Sequence, residues 1–311
     1  MTSPRVLITG AAGFLGSGLV PALAGGGYVV RTATRTPQVV PDAAEGVIVG
    51  DLRVSTNLSA ALAGVDAVVH LAGMPAGPEA TEGNAYRDNN LVSTQRLAQS
   101  AARAGVKRFV YLSSVRAQTG PTSERIITED LPAMPTDVYG RSKLEAEQAV
   151  AGSGVPAVIL RPVLVHGPGM RFNMATLLRL ALMRYPMPVR SLPARRSIVA
   201  RPHLVDAVRL ALSSDSMTGH TYLVADPEPL TLGEMIAVMR SAAGRRPNLV
   251  PMPPAVVTAA AHFMGLVDAA ARIEGSLVVD PARLLRAGWK PALSSREALA
   301  ETVRAILANS S

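Results

Sequence analysis

The feature that most limits how this chain can fold lies near its start. An apolar run, Arg5–Thr9, passes directly into the glycine-punctuated turn TGAAGFLG, Thr9 to Gly16, and then into a helical pattern. A β-type run followed at once by glycines and a helix is the opening of a βαβ unit whose helix N-terminus faces a phosphate. Here Gly10 allows the tight turn, Gly13 lets the backbone approach a pyrophosphate and Gly16 permits close helix–strand packing, with Phe14 and Leu15 beside the phosphates at the helix start. The glycines stand three apart rather than in the commoner G-x-G-x-x-G spacing, so a purely structural turn is the competing reading.

The same alternation repeats along the first half of the chain. Further β-type runs fall at Tyr28–Thr34, Val47–Gly50, Ala67–Leu71, Arg108–Ser113 and Val155–Arg161, with helical stretches at Phe14–Ala24, Leu58–Ala63, Ala85–Ala104 and Val138–Val150. The pattern predicts an α/β fold with a doubly wound parallel sheet covered on both faces. Beyond Arg161 the chain is richer in proline and arginine, and helices are expected at Met174–Met183, His203–Leu212, Leu232–Ala243, Pro254–Leu266 and Ser295–Leu307. The expected division is a dinucleotide-binding domain over 1–165 and a mainly substrate-binding subdomain over 166–311, some of whose segments return to the main domain. Ala117 to Thr136 reads as a loop over the site.

Composition excludes several function classes. The 311 residues contain no cysteine, which rules out disulfides, thiolate catalysis and cysteine metal sites and fits a cytoplasmic enzyme. Five histidines lack ligand spacing, so no metal is expected. The longest apolar stretch, Ala255 to Ala271, is broken by His262 and Asp268 and falls short of the ~20 residues a membrane span needs. The first residues lack the basic region and cleavage site of a signal peptide. A net charge of +8, spread over single arginines, suits an anionic small ligand better than nucleic acid.

Two positions bear on cofactor and chemistry. At the end of the second run, VVRTATRTP carries Arg35 where an NAD-binding sheet usually has a carboxylate, and a cation there suits the 2′-phosphate of NADP. NADP is therefore favoured over NAD, although Arg35 also reads as a solvated loop residue. In GDLR, Asp51 suits the adenine amino group, with Leu52 beside it, or else caps the next helix. Tyr139 and Lys143, in YGRSK, share one helix face. A phenol of ordinary pKa about 10 needs a neighbouring cation to act near neutrality, and Lys143 is placed to supply it.

With the glycine turn at its start and YGRSK beyond the fifth run, the chain resembles an extended short-chain dehydrogenase/reductase. It is most similar to the nucleotide-sugar 4-epimerase, dehydratase and ketoreductase branch, the NAD-dependent epimerase/dehydratase family. The matching motifs are Thr9, Gly10, Gly13 and Gly16, HLAG at His70–Gly73, NLVST at Asn90–Thr94, RFVYLSS at Arg108–Ser114, YGRSK at Tyr139–Lys143 and LRPVLVHGPG at Leu160–Gly169. The resemblance implies a Rossmann-type sheet, a smaller C-terminal substrate-binding subdomain and a homodimer built on the Ala85–Ala104 and Val138–Val150 helices. It implies Tyr139 as general acid/base, Lys143 as the residue that lowers its pKa and bonds the nicotinamide ribose, and Ser114 as the hydroxyl that orients the substrate, with Ser113 competing. Leu71, Ala72 and Gly73 would pass the cofactor riboses, Asn90 would steady the helix beneath the site, and Pro162 would lie near the carboxamide.

The same resemblance bears on the reaction. Dehydratases carry an acidic pair after the catalytic hydroxyl, whereas this chain has Val115 and Arg116. GMRFN, RRSIV and LVVDPARLLRAGWKP are similar to a subgroup holding 4-epimerases and 4-ketoreductases, and they put Asn173 and Arg196, with Arg272 as a looser match, where relatives hold a nucleotide diphosphate. A nucleotide-sugar ketoreductase is slightly favoured over a 4-epimerase. Reduction of a non-sugar carbonyl is the alternative, and a non-catalytic cofactor sensor is remote. His166 and His203 depart from the residues common in relatives, which implies an unusual sugar pocket.

Overall fold

The computed structural model describes residues 3–54, 58–77, 83–170, 172–263 and 274–309. Its strands are β1 (Arg5–Thr9), β2 (Val29–Thr34), β3 (Glu45–Ile48), β4 (Ala67–His70), β5 (Arg108–Leu112), β6 (Ala157–Pro162), β7 (Leu164–His166), β8 (Arg195–Arg196), β9 (Ile198–Ala200), β10 (Thr221–Val224) and β11 (Leu230–Thr231). Seven of them form one sheet in the order β10-β6-β5-β4-β1-β2-β3, and every neighbouring pair is parallel. Strand order reverses between β1 and β4, the switch point where open sheets of this kind leave a crevice at their carboxyl ends. The glycine turn leaves β1 at that crevice.

The helices that frame the sheet and the C-terminal part are α1 (Gly16–Gly25), α2 (Ser59–Leu62), α3 (Gly83–Tyr86), α4 (Ser93–Arg103), α5 (Val138–Ala151), α6 (Phe172–Ala181), α7 (Arg201–Ser213), α8 (Leu232–Ala242) and α9 (Pro254–Phe263). β4, β5 and β6 are buried at every residue, as a sheet covered on both faces requires. Alternation along the strands separates the two layers. Val6, Ile8, Val69 and Val110 pack with Leu19 of α1 and Leu204 of α7, while Leu7, Val68 and Phe109 pack with Leu97 of α4 and Ala146 of α5. A third cluster joins Met174 and Leu178 of α6, Met235 and Met239 of α8, and Leu299 and Val303 of the last helix, Ser295–Ala308. That cluster is the core of the C-terminal part, while β10 returns to the main sheet beside β6.

Three departures from the sequence reading have local causes. The expected helix Ala85–Ala104 is divided into α3, a π-helical turn at Arg87–Val92, and α4. Within that turn the Asn90 side chain accepts from Met74 N at 2.8 Å and donates to Ser142 Oγ at 3.0 Å, a long-range demand that no local pattern announces. The third strand ends before the Gly50 position, whose φ of +66° leaves the β region. Finally, α1 starts at Gly16 rather than Phe14, because Phe14 and Leu15 still belong to the turn. Of the expected helix Pro254–Leu266, residues 264–266 lie outside the described residues, and no described helix is long and apolar enough to cross a membrane.

Candidate functional site

A cleft of ≈ 500 Å³ opens at the switch point, lined by Gly10, Gly13, Arg35, Asp51, Leu52, Leu71, Ala72 and Gly73, together with Gln38 and Arg53. Gly10 takes a φ of +72°, and a Cβ there would stand 2.8 Å from Ala72 N, so only glycine passes so close to the adjoining strand end. At Gly16 a Cβ would meet Ala11 O at 2.1 Å, which is the close helix–turn packing expected of it. The cleft floor thus offers glycine-turn backbone and the start of α1 to an anion, and cations at its far wall, a donor set that fits a dinucleotide. Phe14, Leu15 and Pro162 do not line this cleft. Phe14 instead lies under the Arg201 guanidinium at 5.4 Å, while Arg201 Nη1 donates to the Phe14 and Pro168 carbonyls. Arg201, unsuspected in the sequence, therefore clips the glycine turn to α7.

Asp51 lines the cleft with a carboxylate that is already paired. Its carboxylate neither caps a helix nor stands free: Arg53 donates to it through Nη2 at 2.6 Å and Nε at 2.9 Å, holding its pKa down at about 2. This end of the cleft consequently presents Arg35 and the Asp51–Arg53 ion pair.

The three residues expected to do chemistry do not line the cleft; of them, Lys143 Nζ lies beside Gly73, which does. Asp137 caps α5 by accepting from Gly140 N at 2.7 Å and pairs with Arg116, fixing the helix that carries Tyr139 and Lys143. Gly140 is needed there because a Cβ would strike Arg116 O at 2.3 Å. The Tyr139 ring meets Tyr86 edge-on at 5.5 Å, and Ser114, which caps the turn after β5 by accepting from Arg116 N at 3.2 Å, lies near enough to pull the phenol pKa down. Ser113 is excluded from that position, since its hydroxyl donates to Glu147 in a buried group with Arg161. Successive residues leaving β5 point to opposite faces, so one serine faces α5 and the other the site.

The expected lowering of the phenol pKa by Lys143 is not what this arrangement gives. Burial pushes Tyr139 above its ordinary value, against the pull of Ser114 and the Arg116 charge. Lys143 turns its ammonium to Tyr111 OH at 3.1 Å and Leu112 O at 2.9 Å, and desolvation brings its pKa down to about 8. The phenol is accordingly protonated at neutral pH and ready to donate.

In the C-terminal part the expected diphosphate contacts are less complete. Arg196 donates to Pro121 O and Gly275 O at 3.1 Å, tying β8 to two loops. The Asn173 side chain and Arg272 lie outside the described residues. A hollow of ≈ 650 Å³ there is lined by Arg184, Arg240, Arg245 and Arg246. Arg240 within it uses its N–H groups on the carbonyls of Ala181, Met183, Tyr185, Pro247 and Asn248, as a clip between loops.

His166 and His203 likewise prove to be framework rather than sugar pocket. Both are buried: His203 Nδ1 bonds Asp226 at 2.8 Å, and His166 Nδ1 bonds Thr302 at 2.9 Å. Burial lowers His166 to about 4 and His70 to about 3, both below the ordinary 6.5. The unfolded chain then binds more protons in acid, so their contribution is intact above pH 6.5 and is lost as pH falls. Between about pH 7.5 and about pH 5 each histidine is expected to remove about 2 kcal/mol of stability, read as a fall in the urea midpoint. A midpoint unchanged over that range contradicts the neutral, buried assignment.

Comparison with known proteins agrees with this geometry. A family model described as the NAD dependent epimerase/dehydratase family matches residues 6–225. A UDP-glucose 4-epimerase of Vibrio cholerae is 32% identical over 97% of this chain and 95% of its own length. A ceramide reductase of Caulobacter vibrioides is 30% identical over 92% of this chain and 86% of its own. Among solved structures, MoeE5 in complex with UDP-glucose and NAD is similar with a TM-score of 0.80 at 27% identity, covering 99% of this chain and 100% of that one. The chain belongs to the NAD-dependent epimerase/dehydratase family and is an extended short-chain dehydrogenase/reductase enzyme.

Proposed function

We propose that this enzyme reduces a keto group of a nucleotide sugar, with NADP(H) as an exchangeable cofactor. The observation that carries the reading is the switch-point cleft with Arg35 in its wall, next to Lys143, whose Nζ lies beside the cleft-lining Gly73 on the helix that also carries Tyr139. Bound in the cleft, the nicotinamide cofactor supplies hydride chemistry. Ser114 and Tyr139 hydrogen-bond the substrate oxygen, and as that oxygen gains negative charge the Tyr139 proton passes to it, leaving a carbinol and a phenolate that regains its proton from solvent. Lys143 holds positive charge beside the phenolate end of this site.

The cofactor preference rests on Arg35, which lines the cleft just after β2, while the Asp51 carboxylate in the same cleft is already paired with Arg53. Arg35→Ala is expected to raise KM for NADPH about tenfold or more and to leave KM for NADH within about twofold, the loss of one charge-assisted contact to a phosphate. Equal KM changes for both cofactors sink the 2′-phosphate assignment. Arg53 is a poorer candidate because Asp51 already holds it.

A second reading, 4-epimerisation, is favoured by the similarity to UDP-glucose 4-epimerase. It uses the same three side chains but returns the hydride to the same sugar. The similarity to a ceramide reductase supports reduction of a non-sugar carbonyl instead. Thermal shift with UDP, TDP and no nucleotide separates sugar-nucleotide from other substrates: stabilisation by a nucleotide diphosphate supports the first choice, and its absence counts against it.

A further inference from the structure

We propose that the hollow at the ends of α6 and α8 is a second phosphate-binding site, separate from the cofactor cleft, for a ligand with two or more negative charges. It shares no lining residue with that cleft, and its test does not depend on the reaction catalysed.

The chain makes this region basic before it folds. No Asp or Glu occurs between Glu147 and Asp206 or between Glu234 and Asp268, whereas arginine recurs in both stretches. Folding joins the two: Met187 bridges with Leu249, Met187 N donates to Asn248 O at 3.1 Å, and Arg245 donates to Leu182 O. The hollow between them, ≈ 650 Å³, is lined by Met183, Arg184, Arg240, Arg245, Arg246 and Asn248, so four guanidiniums border one space that no carboxylate lines.

The four arginines are not equivalent. Arg240 is 2% exposed and gives its N–H groups to the carbonyls of Ala181, Met183, Tyr185, Pro247 and Asn248. Those bonds satisfy its donors without cancelling its charge, and they fix both loops, so the hollow is formed in advance of any ligand. Arg184 and Arg246 are exposed and make no hydrogen bond or ion pair with their side chains among the described residues. Their forks are available.

The opposing charge is small. The C-terminal ends of α6 and α8 supply about −0.5 each, which leaves a surplus of about three positive charges around the hollow. Like charges so placed repel unless an anion joins them, and burial together with the Arg245 charge already pulls Arg240 below its ordinary pKa. Guanidinium forks and the Asn248 amide suit the oxygens of phosphate groups, and a volume of this order holds a small ligand. On the rim Met183 and Tyr185, 48% and 75% exposed, stand beside the cations. A free polyphosphate and the headgroup of an anionic lipid present the same group to such a surface.

Two measurements at low salt test the site: calorimetric titration of NADPH-saturated protein with inorganic pyrophosphate, and sedimentation with phosphatidylcholine vesicles with or without phosphatidylglycerol. Wild type is expected to bind in at least one of them. Arg245→Glu, Arg246→Glu is expected to weaken that binding about tenfold or more while Kd for the cofactor stays within about twofold, which reports an intact fold. Arg184→Glu, on the other loop, has no side-chain bond to lose and is expected to weaken it in the same direction. Arg125→Glu, Arg286→Glu makes the same charge change at exposed positions outside the hollow and is expected to alter binding less than about twofold. Pyrophosphate binding that the hollow variant loses identifies a free phosphate ligand. Retention by phosphatidylglycerol vesicles alone, lost in that variant, identifies a lipid headgroup. No binding in either measurement, binding that survives the hollow variant, or an equal loss in the Arg125, Arg286 pair overturns the proposal. Since none of these readings uses turnover, failure of the nucleotide-sugar reading leaves the result intact.

Discussion

Replacing Tyr139 with phenylalanine is expected to lower kcat by about 10³-fold while Kd for the cofactor changes by less than about twofold, the loss typical of one positioned proton donor. The substitution keeps the ring that meets Tyr86 at 5.5 Å and removes only the hydroxyl. Its effect is therefore specific to proton transfer at the substrate oxygen. Steady-state kinetics beside cofactor titration checks it, and a fall of less than about tenfold in kcat contradicts the assignment of Tyr139. Ser114→Ala removes the second partner of that oxygen and should cost less.

The second large effect concerns the scaffold. Glu147 and Arg161 are a buried ion pair, with Nε–Oε1 at 2.9 Å and Nη2–Oε2 at 2.5 Å, and Ser113 and Gln118 complete the group. Gln118 in turn holds the Thr128 and Leu131 carbonyls of the loop that approaches Tyr139. Glu147→Leu leaves the guanidinium buried without its charge partner and is expected to cost about 3–5 kcal/mol, measured as a shift in the urea midpoint. The double variant Glu147→Leu, Arg161→Met should recover much of that loss, because no unpaired charge is then left inside. A Glu147→Leu protein as stable as wild type contradicts the account of this group.

Much of the fold was legible because it rests on local signals. β4 to β6 are mainly apolar runs, and the turn at Gly10 combines a special backbone angle with a close approach that sequence marks by glycine alone. Most of the expected cleft residues, Gly10, Gly13, Arg35, Asp51, Leu52 and Leu71 to Gly73, do line one cleft. What sequence left hidden depends on partners far along the chain. The π turn at Asn90 answers to Met74 and Ser142, the Asp51 carboxylate is captured by Arg53, and Arg201 reaches back to Phe14. β10 carried no warning, since four residues after a glycine make a weak strand signal. The choice between Ser113 and Ser114 needed the face to which each points. The direction of the Tyr139 shift needed burial, which outweighs charge there.

The most direct test of the central claim is transfer of label from cofactor to sugar. The purified enzyme is incubated with a UDP-4-ketohexose and NADPH carrying deuterium at nicotinamide C4, on each face in turn, and the nucleotide sugar is read by mass spectrometry. The account predicts one deuterium at the new carbinol carbon from one face only, and none with Tyr139→Phe. A nucleotide sugar that never acquires deuterium from either cofactor contradicts it.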